Sequence, residues 1–242
     1  MAHKNLVGGT AYDTKGGKCL VGGTGYAIKK GRTLVGGTGY DVAFGPSLSS
    51  LAEGDTVKIK ENGTDVSFVI AKHNYESDLN GAGRTLLVRS DSYKDDYWNT
   101  SAVNDFAVSS VCNWLNTTYK SLLDAGVQDA IGTTTFYYTP ANGNDNVTTL
   151  SRSVFLLSYT EAGIFGAYAN KEGTELPTAQ ALQISTACWS RSPRCGRTNM
   201  AYYMKSSTGG AYAVNTYTNG IRPIFTLPDT MLINPATNEI LP

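Results

Sequence analysis

The amino-acid sequence predicts an α+β fold, and three observations lead to that prediction. Alternating apolar residues at 55–73 flank the turn Glu61-Asn62-Gly63, a pattern typical of a strand hairpin. Apolar residues between Val108 and Leu123 then recur at helical spacing. The remainder is rich in Gly, Ser, Thr and Tyr, which favour short strands and loops. Strands first, helices in the middle and strands last form an α+β pattern.

The N-terminal part of the chain is a repeat. LVGGTAYDTKGGKC begins at Leu6, LVGGTGYAIKKGRT at Leu20 and LVGGTGYDVAFG at Leu34, a period of 14 residues. The Gly pairs predict short strands separated by turns. A unit this short cannot bury a core alone, so we expect the units to stack on each other or on another chain. We therefore expect two domains, an all-β repeat module at 1–46 for assembly or anchoring and a second domain at 47–242.

The second domain has its predicted elements in this order. After the hairpin at 55–73 comes a short apolar strand at 85–89. The helix at 108–123 is followed by a second short helix near 123–130, and by a polar loop or hairpin at 134–146. A buried strand is predicted at 154–158, and short strands and loops from about Ile184 onwards.

Composition excludes several classes of function. Lysine plus arginine and aspartate plus glutamate both number 20, so the chain lacks the basic excess of a general nucleic-acid binder. Four cysteines and two histidines, without a Cys-x-x-Cys pair, give no recognisable zinc site, and we expect no cofactor. We expect Cys19, Cys112, Cys188 and Cys195 to be free thiols, with a Cys188–Cys195 bridge as the alternative. The sequence also predicts neither a cleavable signal peptide nor membrane insertion.

Residues 176–228 form the segment that most strongly indicates a function. They include no Asp or Glu, and they interleave cationic and aromatic side chains, namely Arg191, Arg194, Arg197, Lys205 and Arg222 with Trp189, Tyr202, Tyr203, Tyr212 and Tyr217. Tyr supplies rigid contact area in binding surfaces, and Ser, Gly and Asn supply adaptable hydrogen bonds. General acid–base catalysis needs a His or a carboxylate, and this segment has neither. The segment predicts a ligand surface and no catalytic residues, so we expect the chain not to be an enzyme.

Four large side chains are expected to belong to the scaffold. Trp189 is assigned to the core together with Ala201 and Val214, and Trp114, on the predicted helix, is also assigned to the core. Arg191 and Arg222 lie beside Ser-Pro or Pro. They either brace loops by donating to backbone carbonyls or contact the ligand, and the sequence leaves both alternatives open.

Four motifs give the chain a family resemblance. They are VCNWLN at 111–116, VFLLS at 154–158, WSRSP at 189–193 and GIRPIF at 220–225. In this order they resemble the variable proteins of diversity-generating retroelements and their relatives in phage tails and on cell surfaces. The resemblance spans about 47–227 and implies a C-type-lectin-like fold for the second domain.

The resemblance also implies which positions are varied. In that family, adenines of a template copy are randomised during reverse transcription, which yields many residue types but not Trp, Met, Lys, Glu or Gln. Trp189, Met200, Met204 and Lys205 would then be fixed. The ligand-binding positions implied are Ala187, Cys188, Ser190, Arg194, Cys195, Gly196, Arg197, Thr198, Asn199, Tyr202, Tyr212, Asn215 and Tyr217.

The function implied is that of a ligand-binding or receptor-binding protein displayed on a phage virion, in the tail, or on an extracellular surface. Its partners would be a host or cell-surface protein or glycan and, through the repeats, phage structural proteins. Short stacked repeats favour either a homotrimer or an anchoring partner. The alternatives are a fixed decoration protein of a phage and a formylglycine-generating type of oxidase, for which Cys188 and Cys195 would have to hold one copper ion.

Overall fold

The computed structural model of the chain describes residues 45–140 and 146–241 and, before them, the backbone of six strands between residues 4 and 43. The α-helices are α1 Ser77–Asn80, α2 Ser110–Trp114 and α3 Ala125–Ala130. The strands, in chain order, are β1 Lys4–Val7, β2 Thr10–Asp13, β3 Lys18–Val21, β4 Thr24–Ala27, β5 Lys30–Val35, β6 Thr38–Ala43, β7 Thr56–Glu61, β8 Thr64–His73, β9 Arg84–Arg89, β10 Lys94–Tyr97, β11 Thr134–Tyr138, β12 Thr148–Arg152, β13 Val154–Phe155, β14 Cys188–Pro193, β15 Met200–Lys205, β16 Thr208–Ala213, β17 Thr218–Ile221, β18 Ile224–Pro228, β19 Leu232–Ile233 and β20 Ile240–Leu241.

The repeats form three antiparallel hairpins, β1–β2, β3–β4 and β5–β6. In each of them the Val of the Leu-Val pair lies opposite the Thr of the Gly-Gly-Thr triplet, as in the pair Val7 and Thr10. The prediction of short strands is confirmed. The Gly-Gly pairs, the repeat side chains and the expected stacking of the units lie outside the described residues.

Sheet A has five antiparallel strands in the order β13-β18-β9-β8-β7. The hairpin β7–β8 has the predicted turn, in which Asn62 and Gly63 adopt φ of 51° and 75°. Two consecutive positive φ angles favour Asn-Gly, because these residues tolerate the left-handed region best. The buried side chains of sheet A include Phe68 and Phe225, whose ring centroids lie 5.3 Å apart.

Sheet B has five strands in the order β10-β17-β14-β15-β16. Its strand β14 pairs antiparallel with β15 and parallel with β17, so it lies inside the sheet, whereas β16 is an edge strand. Every residue of β14 is buried. Trp189 of β14 and Ala201 of β15 belong to the same hydrophobic core as Phe68 and Phe225 of sheet A, so the two sheets share one core.

The helical part is smaller than predicted. The segment expected as one helix at 108–123 is α-helical only in α2, after which the chain continues as a π-helical stretch Leu115–Tyr119 and a 3₁₀ turn Lys120–Leu122. Asn116 lies in the π-helical stretch and donates to the carbonyls of Cys112 and Val154. Within the described part of the chain, no helix is long and apolar enough to cross a membrane.

The predicted α+β class of the C-type-lectin-like domain is therefore wrong, because the described chain is mainly β. Two features of the sequence misled the prediction. Helical spacing at 108–123 indicated a long helix, but irregular helical turns satisfy the same spacing. The Gly-, Thr- and Tyr-rich segment after Ile184 suggested long loops, but it supplies four of the five strands of sheet B.

Candidate functional site

The hairpin β15–β16 carries most of the predicted aromatic surface. Its strands pair from Met200–Ala213 to Lys205–Thr208, so only two residues connect them, and the first, Ser206, has a left-handed φ of 51°. Gly209 is required beside this turn because a Cβ there would overlap the carbonyl oxygen of Tyr203. The tight turn and Gly209 bring β16 close against β15.

Three tyrosine rings form a continuous stack, in which Tyr203 and Tyr212 belong to this hairpin and Tyr217 follows it in the chain. The centroids of Tyr203 and Tyr212 lie 4.6 Å apart with an interplanar angle of 10°, and those of Tyr212 and Tyr217 lie 4.6 Å apart at 19°. Tyr212 is 38% exposed and Tyr217 is 50% exposed, whereas Tyr203 is half-buried against the core. We call these three residues the tyrosine face. Stacking fixes the rings before any ligand arrives, which lowers the entropic cost of binding.

The opposite face of the hairpin is covered by other aromatic side chains. Tyr202 is buried and stacks on Tyr159 with centroids 4.4 Å apart. Next to them the guanidinium of Arg194 lies 5.0 Å from the ring centroid of Tyr168, which is 56% exposed. The hairpin therefore has one open aromatic face and one that is largely packed.

The loop 194–199 joins β14 to β15 and lies at the surface. Gly196, Arg197 and Thr198 are exposed. The backbone of the loop is nevertheless fixed, because Asn104 Nδ2 donates to the carbonyl of Arg197 at 2.7 Å and the amide of Cys195 donates to the carbonyl of Tyr168 at 2.7 Å. The amide of Val214 donates to the carbonyl of Asn199 at 2.9 Å, which ties this loop to the segment between Tyr212 and Tyr217.

Most of the predicted ligand-binding residues lie where a ligand can reach them. Gly196, Arg197, Thr198, Tyr212, Asn215 and Tyr217 are exposed, and Ala187, Arg194, Cys195 and Asn199 are half-buried. Cys188, Ser190 and Tyr202 need correction, since they are 2%, 0% and 6% exposed. The first two are buried because β14 is covered on both faces, and Ser190 Oγ donates to the carbonyl of Tyr202 at 2.9 Å.

The predicted scaffold residues pack as follows. Trp189 is fully buried and its indole donates to the carbonyl of Asp96 at 2.9 Å. Trp114 is half-buried between Tyr93 and Tyr119, at centroid distances of 5.4 Å and 5.6 Å. Arg222 donates to the carbonyls of Arg89 and Leu182, and burial lowers its pKa to about 10. Of the two alternatives that the sequence left open for Arg222, the structure therefore shows the one in which it braces loops through backbone carbonyls.

Arg191 lies at the centre of a buried network that the sequence did not reveal. Its guanidinium donates to both carboxylate oxygens of Glu161, at 2.6 Å and 2.9 Å, and to the carbonyls of Tyr137 and Leu156. Tyr75 Oη donates to Glu161 Oε1 at 2.5 Å. Both members of the ion pair are fully buried. Here too the arginine braces loops through backbone carbonyls.

Glu172 is a second buried carboxylate in this network. Its oxygens accept from Thr139 N at 2.6 Å and from Ser192 Oγ at 2.5 Å. Burial raises the pKa of Glu172, and Arg191 acts against that rise. We call Arg191, Glu161, Glu172 and Tyr75 the Arg191 cluster. The only sequence signal for it is a pair of glutamates, because the Tyr75, Arg191, Thr139 and Ser192 partners of their carboxylates lie 20 to 86 positions away.

The cysteines bear on the oxidase alternative. Cys188 is a free thiol, so the alternative of a Cys188–Cys195 bridge is wrong. Burial raises the pKa of Cys188 to about 11, which keeps the thiol protonated at neutral pH. Cys195 Sγ donates to Asn170 Oδ1 at 3.1 Å. Among the residues described, no three His, Cys, Asp or Glu side chains come together as metal ligands would.

A family model for a domain of unknown function, DUF6273, matches residues 82–229. The match contains sheet B, the tyrosine face, the loop 194–199 and all of the Arg191 cluster except Tyr75. No curated protein matches the chain, and no solved structure does. Because the matched residues make up more than half of the 242-residue chain, the protein belongs to the DUF6273 family.

Proposed function

We propose that the chain is a ligand-binding protein whose contact surface consists of the tyrosine face and the loop 194–199. The observation that carries this proposal is the stack of three tyrosine rings beside an exposed loop. Exposed aromatic rings on a fixed backbone provide a large contact area at little entropic cost. A stack that served only to stabilise the fold would have no need to leave Tyr212 and Tyr217 38% and 50% exposed.

The loop 194–199 adds polar and cationic groups to this surface. Arg197 and Thr198 are exposed, and the carbonyls of Arg197, Thr198 and Asn199 are held by backbone or side-chain donors from other parts of the chain. A loop with an anchored backbone can exchange its side chains without refolding. This supports the proposal that the loop positions are varied between copies of the gene while the backbone stays the same.

We also propose that the protein is displayed on a phage virion or an extracellular surface and binds a host or cell-surface protein or glycan. The support is the motif resemblance together with the three N-terminal hairpins, which suit an anchoring role. In this arrangement the hairpins attach the chain to phage structural proteins and the tyrosine face contacts the ligand. No catalytic step is part of the proposal.

The test compares binding by the full chain with binding by the double variant Tyr212→Ser, Tyr217→Ser. The probes are an array of defined glycans and a panel of intact bacterial strains. We expect binding to at least one probe, and at least a tenfold loss of affinity in the double variant, since aromatic anchors carry a large share of binding energy.

The matched control is Val108→Ser, which removes an apolar side chain that is 71% exposed but lies in the 3₁₀ turn Phe106–Val108 and not on the hairpin. It should bind like the unchanged chain. Equal binding by the double variant and the unchanged chain would overturn the proposed contact surface. Binding to no probe at all would favour a fixed decoration protein.

A further inference from the structure

A polar cleft of about 600 Å³ lies beside the Arg191 cluster, where the Cβ position of Gly173 is 3.0 Å from Glu76 Oε1 and 3.6 Å from Glu161 Oε1. Its walls include Lys72, Asn74, Glu76, Asp78, Tyr137 and Lys171. We call it the Glu76 cleft. It is large enough for a small organic molecule.

Glu76 is the unusual residue of this cleft. It is 7% exposed, yet its carboxylate accepts no hydrogen bond and forms no ion pair with any residue in the described ranges 45–140 and 146–241. Neither carboxylate oxygen is among the fully buried polar atoms without a partner in the described chain, so the group keeps some contact with solvent and a ligand can reach it. At Gly173, a Cβ would lie 3.0 Å from Glu76 Oε1, so the glycine keeps one side of the carboxylate open.

The backbone at Glu76 is also strained, with a left-handed φ of 43° and ψ of 56°. A residue other than Gly, Asn or Asp rarely adopts this region. Such strain persists only where the surrounding structure enforces it, and it is concentrated at binding and active sites. Strain and an unpaired carboxylate thus coincide at one residue on the cleft wall.

The charges around Glu76 indicate what would bind. Glu161 and Glu172 lie in the neighbouring Arg191 cluster, so three carboxylates surround a single guanidinium. Burial raises the pKa of Glu76 and the negative charge of Glu161 raises it further, while the positive charges of Lys72 and Arg191 act against that rise. A bound cation would offset both effects. In the described chain no three side chains of the kinds that bind metals converge, which favours an organic ammonium group over a metal ion.

Two lysines complete the recognition pattern. Lys72 and Lys171 line the same cleft, and no carboxylate of the described chain lies within ion-pair distance of either ammonium group. An unpaired carboxylate and two unpaired ammonium groups in one cleft complement a ligand that carries both charges. We propose that the Glu76 cleft binds a free amino acid or a similar small zwitterion, its ammonium group on Glu76 and its carboxylate on Lys72 or Lys171.

The test measures the melting temperature and the calorimetric binding of the full chain with each of the common L-amino acids. Cadaverine, which has only ammonium groups, and succinate, which has only carboxylates, are the comparison probes. We expect at least one amino acid to bind and to raise the melting temperature, with both comparison probes at least tenfold weaker. Equal binding of cadaverine, or no binding of any amino acid at about 10 mM, would overturn the proposal.

Two variants locate the site. Glu76→Gln should weaken binding at least tenfold and, because it removes an unpaired buried charge, should raise the melting temperature of the ligand-free protein. Lys72→Met should weaken binding without changing the fold, and Asp124→Asn, in the loop before α3, is the control that should bind normally. Unchanged affinity in Glu76→Gln, or a fall in its ligand-free melting temperature, would show that Glu76 has a structural role instead.

Discussion

Arg191 and Tyr203 lie on the neighbouring strands β14 and β15 of sheet B, but the Arg191 cluster and the tyrosine face to which they belong differ in nearly every physical property. Arg191 of β14 is fully buried, and its guanidinium is paired with a carboxylate and with carbonyls from distant segments. Tyr203 of β15 begins a stack that ends in the half-exposed ring of Tyr217. One region holds loops in place and the other is open to solvent. A contact surface whose side chains vary needs a fixed support of this kind.

The comparison also predicts which substitutions lower the free energy of unfolding most. A buried ion pair is sensitive to the loss of one partner, because the remaining charge stays in the interior. Exposed stacked rings lose little on truncation, since water replaces the missing contacts. Four predictions follow from this contrast, in order of decreasing effect.

Glu161→Gln should cause the largest loss of stability, about 3–5 kcal/mol, because it removes the carboxylate that forms the ion pair with the fully buried guanidinium of Arg191. Denaturant unfolding monitored by circular dichroism measures it. Asp96→Asn, which breaks the exposed pair of Lys94 and Asp96, is the control and should change stability far less. Similar effects of the two substitutions would mean that the buried pair does not support the fold.

Gly209→Ala should destabilise the protein by about 1–3 kcal/mol, because the added methyl group overlaps the carbonyl oxygen of Tyr203 and forces β15 and β16 apart. It should also weaken ligand binding by disturbing the stack. Thr208→Ala, at the neighbouring exposed position, is the matched control. Both variants are compared by thermal unfolding, and equal melting temperatures would contradict the close packing of the hairpin.

Glu172 should make stability depend on pH. Burial raises its pKa in the folded state above the ordinary value of 4.5, so the unfolded chain loses this proton at a lower pH than the folded chain does. The contribution to stability is therefore complete below 4.5 and is lost as the pH rises through the raised pKa, by up to about 1.4 kcal/mol per pH unit.

Glu172→Gln should remove this part of the pH dependence. The free energy of unfolding, measured in denaturant at intervals from about pH 4 to pH 8, should fall less steeply in the variant than in the unchanged chain. Parallel profiles for the two proteins would contradict a raised pKa at this carboxyl group.

Tyr217→Ala should have the smallest effect on stability, within about 0.5 kcal/mol, because the ring is 50% exposed. Tyr202→Ala is the matched comparison, a tyrosine of strand β15 that is buried against Tyr159, and it should cost about 3 kcal/mol. Chemical denaturation of both variants measures the difference. A large loss in Tyr217→Ala would assign the stack to the fold and not to the ligand.

The same contrast explains what the sequence could predict. The tyrosine face could be predicted because Tyr203, Tyr212 and Tyr217 lie within 15 consecutive residues of unusual composition. The hairpin β7–β8 could be predicted because consecutive residues of the chain form its turn. The Arg191 cluster and the Glu76 cleft could not be predicted, since they join residues from distant segments, such as Tyr75 and Glu161 at a separation of 86 positions, that only the tertiary fold brings together.

The errors have the same physical origin. The family resemblance implied that Cys188 and Ser190 contact the ligand, but it does not show which positions of a strand the tertiary fold covers. Strand β14 lies inside sheet B and every one of its residues is buried, including Cys188 and Ser190. The α+β prediction failed because short-range spacing at 108–123 does not distinguish one long helix from a series of short helical turns.

Sequencing the 3′ end of the gene across sibling isolates tests most directly whether ligand contact and variation are confined to the exposed surface. We expect substitutions at residues 194–199 and at Tyr212, Asn215 and Tyr217, and a gene neighbourhood that contains a near-copy template and a reverse transcriptase. Buried positions such as Cys188, Ser190 and Arg191 should stay unchanged. An invariant surface, or substitutions spread equally over the exposed face and the Arg191 cluster, would contradict it.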